Sequence, residues 1–501
     1  GAGDEVAVED GAAPVVVDLY TRCHLVHVHC CPPFARYPPN ATGAVRPAPA
    51  RPPAAGLDAG SRCAMRIRVA GVTSTSPPGN RGAHRPIAAT ALLFAANGAI
   101  FGAIVPRLPD LKDALELSPA LFGLAMACYP AGALFGGLLT PVFMRRRSDG
   151  AVAVGTMIAA SVVAALVGFS PVVAVFAGLL LLFGVCDAVT DVSMNAHGIR
   201  VQLRHGRSLI TRFHAVWSLG AVLGAAGGSL AAGFGTPVQV QMIVAAIVCA
   251  AAAAVAYPLR LGPPVAEDED GRDLDRARGE APVADQPVEP VEPVEPVERR
   301  RPGGRALVLL VVLGVFACCA EIVEDFAQTW SALYLRDVAA VGAGVAGLGF
   351  IAVQGAQLIG RFTGDRLVER FGAAVVGRMG GGCVVLGAGA ALTGSFVLDG
   401  PVMVFVLLAG FAVAGWGIAT VIPGAMVGAD SVPGLPDGAG LAVLNWVMRL
   451  GFLLAPPLVG LIAEHLGMRW TVAPMVFGGL LIAALAGPLL GRADGSRAAA
   501  R

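Results

Sequence analysis

EDEDGRDLDRARGE, Glu267–Glu280, and PVEPVEPVEPVERRR, Pro287–Arg301, form the one long hydrophilic run after residue 86, and their place in the chain decides the fold. Six apolar stretches precede this run and six follow it. A hydrocarbon core of about 30 Å needs about 20 apolar helical residues. Stretches of that length lie near 87–106, 119–141, 150–169, 172–195, 209–233 and 238–258, then near 306–328, 340–360, 373–394, 401–427, 439–463 and 471–490. The chain therefore reads as an all-α membrane protein with twelve transmembrane helices in two six-helix bundles, 86–260 and 306–491, joined by a linker at 261–305 and followed by a tail at 492–501. Proline at every third linker position forbids a regular helix and favours a stiff polyproline II spacer. Its simplest role is a tether between the halves, with partner binding as the alternative.

Composition agrees with a bilayer setting. Mean hydropathy is +0.70 and 14% of residues are charged, against about 25% in soluble domains. The formal net charge of +1 conceals the useful pattern, because the charges sit between the spans and at the ends. Nothing in that pattern suggests nucleic-acid binding. Of 36 basic residues only Lys112 is lysine, which points to a GC-rich, bacterial genome. Ten cysteines include Cys128, Cys186, Cys249, Cys318, Cys319 and Cys383 inside apolar spans, where a thiol serves as a small packing group, and no disulfide framework is indicated. HLVHVHCC, His24–Cys31, has metal-ligand residue types without the paired spacing of a structural site, so no metal is assigned. Residues 1–85 are rich in Pro, Ala, Gly and Arg and read as disordered, with Met65 as an alternative start opening a short basic leader. VVVDLY is too short for the apolar region of a signal peptide.

Arginine sets the expected orientation, since short Arg-rich loops stay cytoplasmic. Arg81 and Arg85 precede span 1, Arg145–Arg147 follow span 2, Arg200, Arg204 and Arg207 follow span 4, and Arg361, Arg366, Arg370 and Arg378 follow span 8. The opposite loops GFSP, FGTP and LDG carry no arginine. Arg107, Lys112, Arg336 and Arg469 are outnumbered exceptions. Both termini are expected in the cytoplasm, in a multi-pass protein of the plasma (inner) membrane.

GRFTGDRLVERFG, Gly360–Gly372, follows span 8 and resembles the signature loop of the major facilitator superfamily. Gly360 and Gly364 permit a close helix crossing, while Asp365, Arg366, Arg370 and Gly372 fit a gate whose contacts separate when the state changes. The corresponding first-half segment, GGLLTPVFMRRRSDG, has no Asp-Arg pair. DVSMNAHGIRVQLRHGRSLITRFHAVWSLG (Asp191–Gly220), EDFAQTWSALYLRD (Glu324–Asp337) and GFLLAPPLVGLIAEHLG (Gly451–Gly467) are similar to the fucose-permease-like, mostly uncharacterised bacterial branch of that superfamily. The resemblance spans about residues 86–490. It implies two bundles, alternating access and a small solute, and it departs at Thr329, where the branch has an acid before Trp330.

An ionisable residue inside a span is a functional candidate by default. In span 4, Asp187, Asp191 and Asn195 are spaced four apart and share a helical face. Asp187 is the deepest and the first candidate to carry a proton. Asp191, Asn195 and His214 are read as structural groups near the cytoplasmic ends. Glu321 and Glu324 in span 7 are further proton candidates, with a wetted outer-mouth carboxylate as the alternative for Glu324. Arg449 in span 11 lies about halfway across and needs a carboxylate, for which Asp187, Glu321 and Glu324 are the candidates, or an anionic solute. Asn97, Gln354, Gln357, Asn445 and Trp416 offer hydrogen bonds and a stacking face to a sugar-like or aromatic solute.

The expected function is secondary active transport of a small solute by a monomer in lipid, coupled to protons, with sugar-like uptake favoured. Drug or metabolite efflux by the same fold is one alternative, and a non-transporting sensor signalling through the linker is another. No G-x-x-x-x-G-K-[ST] loop is present, so ATP does not drive this chain directly, and neither an enzyme activity nor a cofactor is expected.

Overall fold

The computed structural model describes residues 84–206, 208–262, 304–432, 435 and 438–499. The N-terminal region, the alternative start at Met65, the His24–Cys31 tract and most of the linker lie outside the described residues.

Among the described residues the regular structure is helical throughout, with twelve helical segments long and apolar enough to cross a membrane. They are α1 Arg85–Ala114, α2 Pro119–Arg146, α3 Asp149–Val167, α4 Val173–His205, α5 Ile210–Gly233, α6 Val238–Leu259, α7 Ala306–Ala339, α8 Ala343–Phe371, α9 Ala373–Val397, α10 Gly400–Asp430, α11 Ala439–Leu466 and α12 Met468–Gly491. Several run past the apolar stretch that marks them. At 33 residues, α4 is about 50 Å long by a rise of about 1.5 Å per residue. Hydropathy marks only the part in hydrocarbon, whereas the backbone ladder continues until a residue such as Gly206, at φ 61°, ends it. The segment expected as a signature loop is likewise helical as far as Phe371, and Gly372, at φ 83°, makes the turn into α9.

Successive helices alternate in direction, so residues 262 and 304 lie at one end of the molecule, here the linker end. Small residues set the spacing within each half. A Cβ on Gly98 would fall 2.1 Å from the Trp217 carbonyl oxygen, and one on Gly220 would fall 2.3 Å from that of Ala95, so α1 and α5 cross with backbones in contact. In the second half Gly387 of α9 and Gly410 of α10 meet in the same way.

The two halves meet at the far end. Gly123 of α2 abuts the Pro456 carbonyl of α11, and Gly344 of α8 abuts Gly233 of α5. Phe122 and Trp330 stack edge to face with centroids 5.5 Å apart. Arg336 of α7 reaches Asp110 at 2.8 Å and Asp113 at 2.9 Å on α1. The Ala120 amide donates to Glu464 at 3.0 Å. At the linker end Asp365, the expected gate carboxylate, is exposed and makes no hydrogen bond or ion pair with the described residues. Gly360 and Gly364 do supply a close crossing, against Ala419 and Thr420 of α10. Arg366 and Arg370 are exposed on the last turns of α8.

Candidate functional site

Between the halves lies a cavity of about 160 Å³ whose walls come from α1, α2, α4, α5, α7, α8 and α11. A cavity of about 150 Å³ accommodates one benzene ring, so this one suits a solute built on a single six-membered ring.

The first-half wall carries a hydrogen-bond network. Trp217 Nε1 of α5 donates to Asn97 Oδ1 of α1 at 2.7 Å, and Asn97 Nδ2 donates to Asp187 Oδ1 of α4 at 2.7 Å. The Tyr129 hydroxyl of α2 donates to Asp187 Oδ2 at 2.8 Å. Four helices are thus tied to one carboxylate. Asn97 is 3% exposed, and at that depth a lost partner costs about 1–3 kcal/mol. Phe101 sits 5.7 Å from the Tyr129 ring and 6.4 Å from the Trp217 ring, so the same wall is aromatic.

A second chain of contacts runs toward the linker end. Asn195 Nδ2 donates to Asp191 Oδ1 at 3.0 Å, and Asn195 Oδ1 lies 3.1 Å from His214 Nε2, whose ring packs edge-on against Phe94. Asp191 and His214, expected as braces near the helix ends, both line the cavity. Asp191 and Arg449 line the same cavity, a juxtaposition that spacing alone had not offered to that arginine.

The second-half wall is different. Gln357 donates to Glu324, which lies 3.9 Å from Arg361. At 9% exposure Glu324 is a buried wall group rather than a carboxylate in open water. Glu321, Gln328, Gln354 and Asn445 all line the cavity, yet make no hydrogen bond to the described residues. Their donors and acceptors are available to a solute.

Trp416 does not line the cavity; its backbone packs on Gly360 of α8, and the aromatic face expected of it comes from Phe101, Tyr129 and Trp217 instead. Sequence reasoning missed Tyr129 and Trp217 as polar partners and counted Arg361 among the loop arginines. The spacing of Gln354, Gln357 and Arg361, three and then four residues, was the available signal that all three share a face of α8.

Near the linker, Asp149 of α3 accepts from Arg200 Nη1 at 2.6 Å and lies 3.2 Å from His197 Nδ1, both on α4. Arg200 Nη2 donates to the Gly262 carbonyl at 2.6 Å, fastening the chain where it leaves α6. No group of three or more His, Cys, Asp or Glu side chains suited to a metal ion occurs among the described residues.

Comparison with known proteins places this architecture. The Major Facilitator Superfamily model matches residues 90–434. The chain is 31% identical over 384 residues to the uncharacterized transporter y4wD of Sinorhizobium fredii, covering 75% of this chain and 90% of that protein. It is 24% identical over 381 residues to an uncharacterized MFS-type transporter of Yersinia pestis, with 75% and 88% covered, and 24% identical over 424 residues to the membrane protein MosC of Rhizobium meliloti, with 81% and 90% covered. Among solved structures the nucleoside transporter NupG superposes with a TM-score of 0.59 at 12% identity, covering 80% of this chain and 98% of NupG. A bacterial homolog of the human lysosomal transporter Spinster, in an inward-facing and occupied conformation, gives 0.61 at 12% identity, with 81% and 96% covered. Twelve spans in two halves around a polar cavity, a family model across most of the chain and a relative above 30% identity together show that this chain is a membrane transporter of the major facilitator superfamily.

Proposed function

We propose that the chain imports a small, polyhydroxylated, sugar-like solute across the plasma membrane, driven by protons. One observation carries the reading. Asp187 is a carboxylate deep in the membrane that meets the solute cavity while held by two neutral donors, Asn97 and Tyr129. A carboxylate so placed can bind and release a proton as the cavity changes the side it faces. Glu324, beside Gln357 and Arg361, is the corresponding group on the other wall.

Cavity size supports a single-ring solute, which would lie with one face on Phe101, Tyr129 and Trp217 and its hydroxyls toward Glu321, Gln354 and Asn445. The arginine pattern supports a cytoplasmic linker end. With that orientation the contacts at the far end close the extracellular side, and the described conformation faces inward.

The test is solute uptake by the purified chain in liposomes holding a pH-sensitive dye, across a panel of monosaccharides, polyols, organic acids and amphipathic drugs. The expected result is accumulation of a sugar-like compound under an inward proton gradient, with acidification of the lumen, and its loss in Asp187→Asn. Solute uptake without proton movement, or intact gradient-driven accumulation in Asp187→Asn together with its loss in Glu324→Gln, would overturn the coupling assignment.

A further inference from the structure

A smaller cavity continues the central one toward the far end. Its volume is about 30 Å³, enough for one or two waters and too small for a sugar-sized solute. Phe101, Tyr129, Pro130, Gln328 and Phe452 line both cavities. Side chains such as Ile104, Leu108, Leu180 and Phe183 make most of the remaining wall apolar. Past it lie the contacts of Phe122 with Trp330 and of Gly123 with Pro456 that shut the far end.

One ionisable carboxyl faces this space. Asp325 of α7 is 1% exposed; its Oδ1 accepts from Thr329 Oγ1 at 3.1 Å, and its Oδ2 has no hydrogen-bond partner among the described residues. It stands immediately before the turn Phe326–Trp330, where the helix widens to the π form, a distortion common at functional sites. No cationic side chain of the described residues lines the small cavity. The surrounding titratable and charged groups are Tyr129 from α2, Glu321 and Glu324 on α7 itself, and Arg361 of α8 and Arg449 of α11, which line the central cavity and not this one. Glu321 lies close enough to feel the charge of Asp325. An ionised Asp325 would therefore be a buried charge with one oxygen lacking a donor among the described residues and no cationic side chain in the small cavity, whereas a protonated Asp325 is a neutral acid in the wall of a space large enough for water.

The geometry points to Asp325 as a second proton-carrying site, separate from Asp187, at which the coupling proton is exchanged with the far side of the membrane when the far end opens. The inference rests on the proton-coupled reading. The step is an acid–base exchange. Hydronium in the small cavity gives its proton to Asp325 Oδ2, leaving water and a neutral carboxylic acid, and the reverse transfer returns the proton.

The test is infrared difference spectroscopy on the purified full chain in lipid nanodiscs, titrated in water and in deuterium oxide, so that the probe is the proton itself. The expected result is a carboxylic-acid carbonyl band in the wild type that shifts on deuteration and is absent in Asp325→Asn. In Thr329→Val, which keeps the carboxyl and removes the donor to Oδ1, the band should persist at a changed frequency. Identical wild-type and Asp325→Asn spectra would sink the proposal, as would a Thr329→Val spectrum unchanged from wild type. The liposome assay separates this inference from the reading beneath it. Wild-type protein that moves its solute without protons removes the proton-coupled reading, and the relay with it. A coupled wild type whose Asp325→Asn variant accumulates solute to the same level removes the relay alone. The expected outcome is a coupled wild type and an Asp325→Asn variant that exchanges solute normally without a gradient but accumulates at least tenfold less with one.

Discussion

Asp187 takes its described hydrogen bonds from the neutral donors Asn97 and Tyr129, an arrangement that holds the carboxylate in place. Removing the phenol tests how far transport depends on that hold. Tyr129→Phe deletes the donor to Oδ2 and leaves the aromatic ring packed against Phe101 and Phe183. The expected cost at a part-buried carboxylate is about 1–3 kcal/mol, seen as a drop of roughly 5- to 150-fold in gradient-driven uptake by liposomes, with a melting temperature lowered by no more than a few degrees. A melting temperature that falls as far as uptake does would instead mark Tyr129 as a packing residue. The acids of α4 and α7 were legible in the sequence because hydrocarbon makes any carboxylate conspicuous. Their partners were not. Tyr129 and Trp217 are ordinary membrane residues until the rotation of α2 and α5 is known, and that rotation depends on which small residues of α1 and α4 they pack against.

At the scale of the element, glycine decides how closely helices meet and proline or glycine decides where they stop. Gly220→Val would press a branched side chain into the Ala95 carbonyl of α1, and overpacking of that kind costs about 1–3 kcal/mol. Thermal unfolding in detergent should show a clear loss of stability, while Gly227→Ala, whose added carbon meets nothing within 4 Å, should melt with the wild type. The lock between α1 and α7 is weaker than its distances suggest. Arg336 is 33% exposed and its partners Asp110 and Asp113 are 25% and 56% exposed, so solvent screening holds its worth to about 1 kcal/mol or less. Arg336→Ala is expected to raise the labelling rate of a cysteine placed at Ser229, under the far-end contact with Gly347, by no more than about fivefold. An unchanged rate would show that the backbone contacts of Gly123 and Gly344 hold the far end without it. Helix number and order could be read from hydropathy, since each span must be apolar for its full crossing. Helix ends could not, because Asp365, Arg366 and Arg370 prolong α8 with side chains that hydropathy scores as loop.

For the whole molecule, the two halves share an architecture and differ in what they leave unpaired. Orientation is a property at this scale, and a reporter fused after Arg501 checks it. A fluorescent protein that matures only in the cytoplasm should be bright there, and alkaline phosphatase, active only outside, should be silent; the reverse pattern would invert both the membrane topology and the direction of the described conformation. The six-plus-six plan was visible in the sequence because the linker interrupts it, but the division of labour between the walls was not, since it depends on which polar groups find each other across α1, α2, α4 and α5. That division has a consequence for how such a protein can change over time. The first-half carboxylate takes hydrogen bonds from Asn97 and Tyr129 of its own bundle, while Glu321, Gln328, Gln354 and Asn445 on the opposite wall make no hydrogen bond to the described residues. Substitutions at Gln328, Gln354 and Asn445 break no such bond, so the lineage can drift from one cargo to another, or be steered there in the laboratory, while the hydrogen bonds of Asn97, Tyr129 and Trp217 around Asp187 are inherited intact.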